Sequence, residues 1–127
     1  MIAKIKTRAD FGGIVNYAND QKNKKKCATL LAHEGVCAIS NKTIADSFQI
    51  QASIRPKVKS PVKHVSLAFS PQDISRFLDN EEGDALMVEI AKKWMEQMGI
   101  RNTQYIIARH HDTKHPHCHL VFNRIDN

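Results

Sequence analysis

Five of the chain's seven histidines lie between positions 110 and 119, in the run His110-His111-Asp112-Thr113-Lys114-His115-Pro116-His117-Cys118-His119. Imidazole is the commonest ligand for borderline divalent metals, and three imidazoles that leave coordination positions open suit a catalytic ion rather than a closed structural one. The flanking chain decides which three converge. Residues 105–108 and 120–122 are short, apolar, β-rich and free of Gly and Pro, so both read as strands, with Asp112, Thr113, Lys114 and Pro116 supplying the turn between them. In an antiparallel hairpin the period of two puts His117 and His119 on one face, and His110 returns opposite them. His111 falls on the other face and His115 at the turn. Asp112, two residues from His110, is placed to accept the second ring N–H of a ligand and so orient it.

The remaining elements must position that point. Residues 1–6 carry Ile2 and Ile5 among lysines and read as a first strand. Asp10 then caps a helix whose stripe is Phe11, Ile14, Val15 and Ala18, with Gly12 and Gly13 weakening its first turn. Tyr17 lies on this helix. Residues 27–39 give only loop or short strands around His33-Glu34-Gly35. Ser40 or Asn41 caps a second helix through Ile44, Phe48, Ile50 and Ile54, ended by Arg55-Pro56, and a basic linker follows to Pro61. In the strand at 62–69, small or polar His64, Ser66 and Ala68 alternate with Val65, Leu67 and Phe69, so the first set faces the site. Ser70-Pro71-Gln72-Asp73 starts a helix, an acidic break spans 79–84, and a longer helix carries Leu86, Ile90, Trp94 and Met98 up to Gly99. Trp94 and the methionines read as core, as does Tyr105.

At 127 residues the chain is expected to be one domain with a modest core. No apolar run is long enough to span a bilayer and the N-terminus lacks a secretion signal, which implies a cytoplasmic protein. Cys27, Cys37 and Cys118 are odd in number and lack ligand spacing, so they read as reduced packing residues, with no disulfide-linked partner. The net charge of +6 is concentrated in Lys22, Lys24, Lys25 and Lys26, and again in Arg55, Lys57, Lys59 and Lys63. Such clusters bind a phosphate backbone by releasing counterions.

The pattern His110-x-Asp112-x-x-His115-Pro116-His117-x-His119-x-x-x-Asn123-Arg124 closely resembles the metal-binding motif of mobilisation relaxases, in the MobA-like branch of the HUH (histidine-hydrophobic-histidine) endonucleases. Cys118 stands in the central hydrophobic place, where a free cysteine packs as a small hydrophobe. Gly12-Gly13-Ile14-Val15-Asn16-Tyr17 resembles the segment that carries the nucleophilic tyrosine of these enzymes, and His64-x-Ser66 resembles a second motif that touches DNA phosphate.

The resemblance implies an α+β domain over residues 1–127, open to truncation at its C-terminal end. Its antiparallel sheet has about five strands, with helices on one face and DNA on the other. It implies metal-dependent nicking of one strand at a plasmid or mobile-element transfer origin, with the 5′ end held on Tyr17, for conjugative mobilisation. His110, His117 and His119 would hold a divalent ion, Mn²⁺ or Mg²⁺, supported by Asp112 and Asn123. Lys22, Lys24, Lys25, Lys26, Arg55, Lys57, Lys59, His64, Ser66 and Arg124 would contact DNA. The implied partners are single-stranded or supercoiled DNA at the origin and accessory mobilisation proteins, with no membrane.

Chain order bears on the choice among relatives. Rolling-circle replication initiators share the histidine motif but usually place their tyrosine downstream of it, whereas Tyr17 precedes it. A phosphoesterase with paired His-x-Ser/Thr half-sites fits less well, because the second half-site here ends in His119. A non-catalytic DNA-binding module of the same fold is the remaining alternative, decided by whether Tyr17 reaches the metal.

Overall fold

A computed structural model describes residues 2–8, 11–20, 28–70, 72, 75–78, 80–111 and 116–125. Within these the chain order is β1 (Ile2–Arg8), α1 (Phe11–Ala18), β2 (Ala28–Glu34), α2 (Asn41–Ala52), β3 (Val62–Ala68), α3 (Glu81–Gln97), β4 (Tyr105–His110) and β5 (His117–Asn123). The strands form one sheet in the order β1-β3-β5-β4-β2, every neighbouring pair antiparallel. This is the α+β, five-stranded antiparallel architecture expected. Asp10, Lys22, Lys24, Lys25, Lys26, Cys27, Pro71, Asp73, Asp79, Asp112, Thr113, Lys114 and His115 lie outside the described residues.

Central β5 is buried along both faces because its two sets of side chains meet different layers. Cys118, Leu120 and Phe122 join Val65, Leu67 and Ile107 beneath Met87, Ala91 and Met95 of α3. Val121 joins Val62 and Ile106 against Phe11, Ile14, Val15 and Ala18 of α1 and Ile44, Phe48 and Ala52 of α2. At about 1.5–3 kcal/mol for each large apolar side chain removed from water, these two layers are the main stabilising term. They also correct the expected layering, since helices cover both faces rather than one. The strand at 62–69 carries apolar residues on both sides, Val62 on one and Val65 and Leu67 on the other, and each set needs a cover.

The helices differ from expectation in phase and limits. Ser40 caps α2 through a reciprocal pair with Thr43, the Thr43 N–H donating to Ser40 Oγ and the Ser40 N–H to Thr43 Oγ1. The helix ends at Ala52, so Ile54 lies beyond it, and both Ile50 and Ile54 are exposed; the buried stripe is Ile44, Phe48 and Ala52. Within the stretch read as an acidic break, residues 81–84 are instead the first turn of α3. Glu81, Glu82 and Asp84 sit where the helix dipole favours negative charge, beneath an Asn80 cap. The fully buried line of α3 is Gly83, Met87, Ala91 and Met95, with Leu86, Ile90 and Trp94 partly buried beside it and Met98 exposed. Gly99 follows at φ +76°, a left-handed stop that glycine makes cheaply. Between Ser70 and Asn80 no α-helix appears among the described residues; Ser70 Oγ accepts from the Gln72 N–H and turns follow. Residues 28–34, unreadable beyond loop or strand, form the edge strand β2, with an irregular register between Leu30 and Ala32.

One buried charge ties α3 to the sheet. Arg109, on the α3 face of β4, donates to Asp84 Oδ1 at 2.9 Å and to the carbonyls of Leu78 and Phe77. The same Leu78 carbonyl lies against Gly83, where an added Cβ would stand 1.9 Å from its oxygen. Helix propensity alone makes Ala better than Gly by about 1 kcal/mol. Here the clash wins, and Gly83→Ala is expected to destabilise the protein by about 2 kcal/mol, the cost of overpacking a closed contact. A chemical-denaturation midpoint that rises in this variant would show that the Leu78 segment yields.

Candidate metal centre

The register sets which side chains meet. His110 pairs with His117 across β4 and β5, and His119 with Ala108, so the three histidines share one face. One ligand nitrogen from each of His110, His117 and His119 lies within 4.8 Å of the others, the one such group found among the described residues. The rings of His110 and His119 are 3.8 Å apart between centroids, and His117 stands 5.3 Å from each. His110 and His119 are buried while His117 is partly exposed, which leaves the centre an open side.

Hydrogen bonds constrain the imidazoles. A carbonyl oxygen can only accept, so His110 Nε2–H donates to the Ala18 carbonyl at 2.7 Å and its lone pair lies on Nδ1. His119 Nδ1 lies 2.6 Å from His64 Nε2. Ligation through His119 Nε2 therefore requires the Nδ1–H to donate to a neutral His64, the usual way a supporting group fixes a ligand's tautomer. Burial, and after it the imidazoles of His110, His64 and His117, pushes His119 down to about 2, so it is neutral at any working pH. Three imidazoles on one face, two of them held by hydrogen bonds, with one open side fit a divalent ion of the borderline class.

His64, expected to contact DNA phosphate, is buried with its Nε2 against His119 Nδ1, a position from which it could orient a ligand. Its strand neighbour Ser66 sits level with His119 and is partly exposed. Asn123 is likewise not at the centre, being four residues from His119 along β5, roughly 13 Å. Its Nδ2 donates to Phe48 and Gln104 and its Oδ1 accepts from the Ile125 N–H, which pins α2 to the sheet. His111 is exposed beside Thr29 Oγ1. Cys118 points away into the α3 layer, where burial pushes its thiol up to about 12. Tyr105 is packed in that layer as well.

Tyr17 stands over the histidines. Its ring lies 5.5 Å from His119, 5.8 Å from His64 and 6.0 Å from His110, edge-on to the first two, and is 47% exposed. Helix α1 buries Phe11, Ile14, Val15 and Ala18, which puts Tyr17 on the border of the packed stripe, over the sheet yet open to solvent. Phe11 stacks on Phe48 of α2 at 5.0 Å. The C-terminal end of α1 is clamped twice, by His110 on the Ala18 carbonyl and by Asn41 Nδ2 on the Asn19 carbonyl at 2.9 Å. Sequence spacing carried no sign of either clamp, because an orphan helix-end carbonyl has no residue-type signature.

Of the basic residues, Arg55, Lys57 and Lys59 are exposed on the turns that lead into β3. Exposed Arg124 donates to the Ser60 carbonyl at 2.8 Å and shares a cleft with Arg55.

Residues 17–127 match the family described as Relaxase: MobA/VirD2-like, nuclease domain. No curated protein and no solved structure matches the chain. The chain belongs to this relaxase nuclease-domain family, and membership implies DNA nicking in mobilisation, on single-stranded DNA at a transfer origin, with a divalent metal. No helix among the described residues is long and apolar enough to cross a membrane.

Calorimetric titration with Mn²⁺ is expected to show large losses of affinity for His110→Ala, His117→Ala and His119→Ala. The loss for His64→Ala should be about 10-fold and for His111→Ala none. A His64→Ala protein that binds as tightly as the unmodified chain would remove the supporting part assigned to His64.

The His119 shift also sets a pH dependence. In the unfolded chain this imidazole protonates near 6.5, but in the fold only near 2. Between these values the unfolded chain holds the extra proton, so stability of the metal-free protein is present above pH 6.5 and falls as pH drops. The loss should be about 2 kcal/mol between pH 6.5 and 5. Denaturant melts across that window should fall less steeply for His119→Asn; identical slopes would place the dependence elsewhere.

Proposed function

We propose that the protein is a site- and strand-specific DNA nickase that attacks a phosphodiester at a transfer origin with Tyr17 and keeps the 5′ end as a phosphotyrosine. The observation that carries this reading is the Tyr17 ring edge-on to His119 and His64, on a helix whose end is bonded to His110. His110, His117 and His119 would hold the divalent ion; of the two expected, Mn²⁺ suits three imidazoles better than Mg²⁺, a hard cation that prefers oxygen. Bound there it would supply Lewis-acid charge against the negative charge that develops on the phosphate.

The protein's own groups account for the rest. The Tyr17 oxygen forms a bond to phosphorus as the bond to the 3′ oxygen breaks; the tyrosine gives up its proton and the leaving oxygen takes one up. Because a phosphotyrosine replaces the phosphodiester, the bond energy is conserved and the strand can later be rejoined. A phenol is a weak nucleophile until it loses its proton, and nearby positive charge helps it do so. The half-exposed ring leaves room for a strand to approach, and the two clamps on α1 limit its motion, which is what in-line attack requires. Arg55, Lys57, Lys59 and Arg124, with Lys22, Lys24, Lys25 and Lys26, would hold the phosphate backbone, Ser66 would face the strand beside His119, and Asp112 would orient His110. Accessory mobilisation proteins would select the origin.

The test is incubation with single-stranded transfer-origin oligonucleotides and Mn²⁺, followed by denaturing electrophoresis and mass spectrometry. A covalent protein–DNA product is expected from the unmodified chain and from Tyr105→Phe, and none from Tyr17→Phe, which should still bind metal and DNA. An adduct that persists in Tyr17→Phe would assign the nucleophile to another residue.

A further inference from the structure

Strand β1 precedes the residues that match the family and carries Lys4 and Lys6. Its register gives it a place at the site. Lys4 pairs with Ser66, and Ser66 pairs with His119, so Lys4 is level with the metal centre with one strand between them. Lys6 pairs with His64, whose ring bonds His119. Since neighbouring strands are about 4.8 Å apart, Lys4 begins about 10 Å from His119.

Among the described residues of the neighbouring strands, the surface between them carries no opposing charge. Lys4 and Lys6 are exposed, and Ser66, Ala68 and His117 are partly exposed. Strands alternate, so the side chains facing this way from β3, β5 and β4 are Val62, His64, Ser66, Ala68, His117, His119, Val121, Asn123, Ile106, Ala108 and His110. No carboxylate occurs among them. Edge-strand lysines also serve to discourage pairing with a second sheet. That purpose gives no reason for both described lysines to share the histidine face while Ile5, on the opposite face of the same edge, is left 46% exposed.

We propose that Lys4 and Lys6 bind the DNA phosphates that flank the scissile one, so that a single strand leaves the histidine centre across Ser66 and over the β1 edge. This rests on the nickase reading and adds to it a direction of travel and two contact residues that neither spacing nor the family match assigns. A flexible ammonium is suited to the task, since it neutralises a backbone phosphate without requiring fixed geometry.

Binding is measured on the Tyr17→Phe protein with fluorescent 12-nucleotide oligo-dT over a salt series, so that the outcome is independent of whether the chain cleaves. Loss of the adduct assay alone would overturn the nickase reading and leave this measurement standing. Lys4→Gln/Lys6→Gln is expected to lower the magnitude of the log–log salt slope by about 1.4, two contacts at about 0.7 each, and to weaken binding about 10-fold near 0.1 M salt. Lys4→Arg/Lys6→Arg should restore both. The control, Lys92→Gln/Lys93→Gln, changes exposed lysines on α3, across the sheet, and should leave slope and affinity as they were. A slope that does not change, or falls equally in the control, would overturn the proposal. So would a Lys4→Gln/Lys6→Gln protein that self-associates on size exclusion while its monomer binds oligo-dT normally, which would return the lysines to edge protection.

Discussion

The register of β5 between β3 and β4 is the constraint on which the rest of the structure depends. Because the side-chain period of a strand is two, a slip by one residue would turn His117 and His119 into the α3 layer and bring Cys118, Leu120 and Phe122 to the face beneath α1 and α2. Such a slip would bury imidazoles in an apolar layer and take Cys118, Leu120 and Phe122 out of their packing beneath α3, so the core itself enforces the arrangement of the histidines. The site is therefore a by-product of packing in the literal sense. The α3 layer chooses the face, and the pairings His110 with His117 and His119 with Ser66 follow from it.

What could be read from sequence was what periodicity encodes. Strict alternation around His64 and His119 gave the strands and their faces, and four buried positions of α1 fell on the expected stripe. The helix phases were harder because isoleucine and methionine are apolar wherever they sit. Ile50 and Met98 continue a helical spacing and are exposed, while the buried line of α3 runs through Gly83 and Ala91, which carry little hydrophobic signal. Gly83 is small because the Leu78 carbonyl approaches it, a tertiary fact absent from any local window. Acidic residues before α3 looked like a break and are instead the charge that a helix start prefers.

At the site the limit had a different origin. Three candidate ligands could be named because they differ in type from their surroundings and recur at strand spacing. Partners that act through backbone atoms or across the sheet could not: the Ala18 carbonyl is invisible in a sequence, and the pairing of His64 with His119 spans 55 positions. Asn123 shows the converse. Its place in a long motif suggested a part at the metal, whereas its amide holds α2 and Gln104 to the sheet, so a motif can mark fold as readily as chemistry.

The bond from His110 to Ala18 joins these two kinds of information. An α-helix of eight residues is too short to be stable alone, and its last carbonyls lack partners within it. Here one of those carbonyls is taken by the imidazole whose other nitrogen is left to face the histidine trio, so the position of α1 and the tautomer of His110 are set by a single proton. Moving α1 would leave a buried imidazole N–H and a helix-end carbonyl both unsatisfied, at about 1–3 kcal/mol for each. Rotating His110 to free its Nε2 would meet the same cost. The ring of Tyr17, one residue before that carbonyl, is consequently held against the histidines by the same contact that orients them.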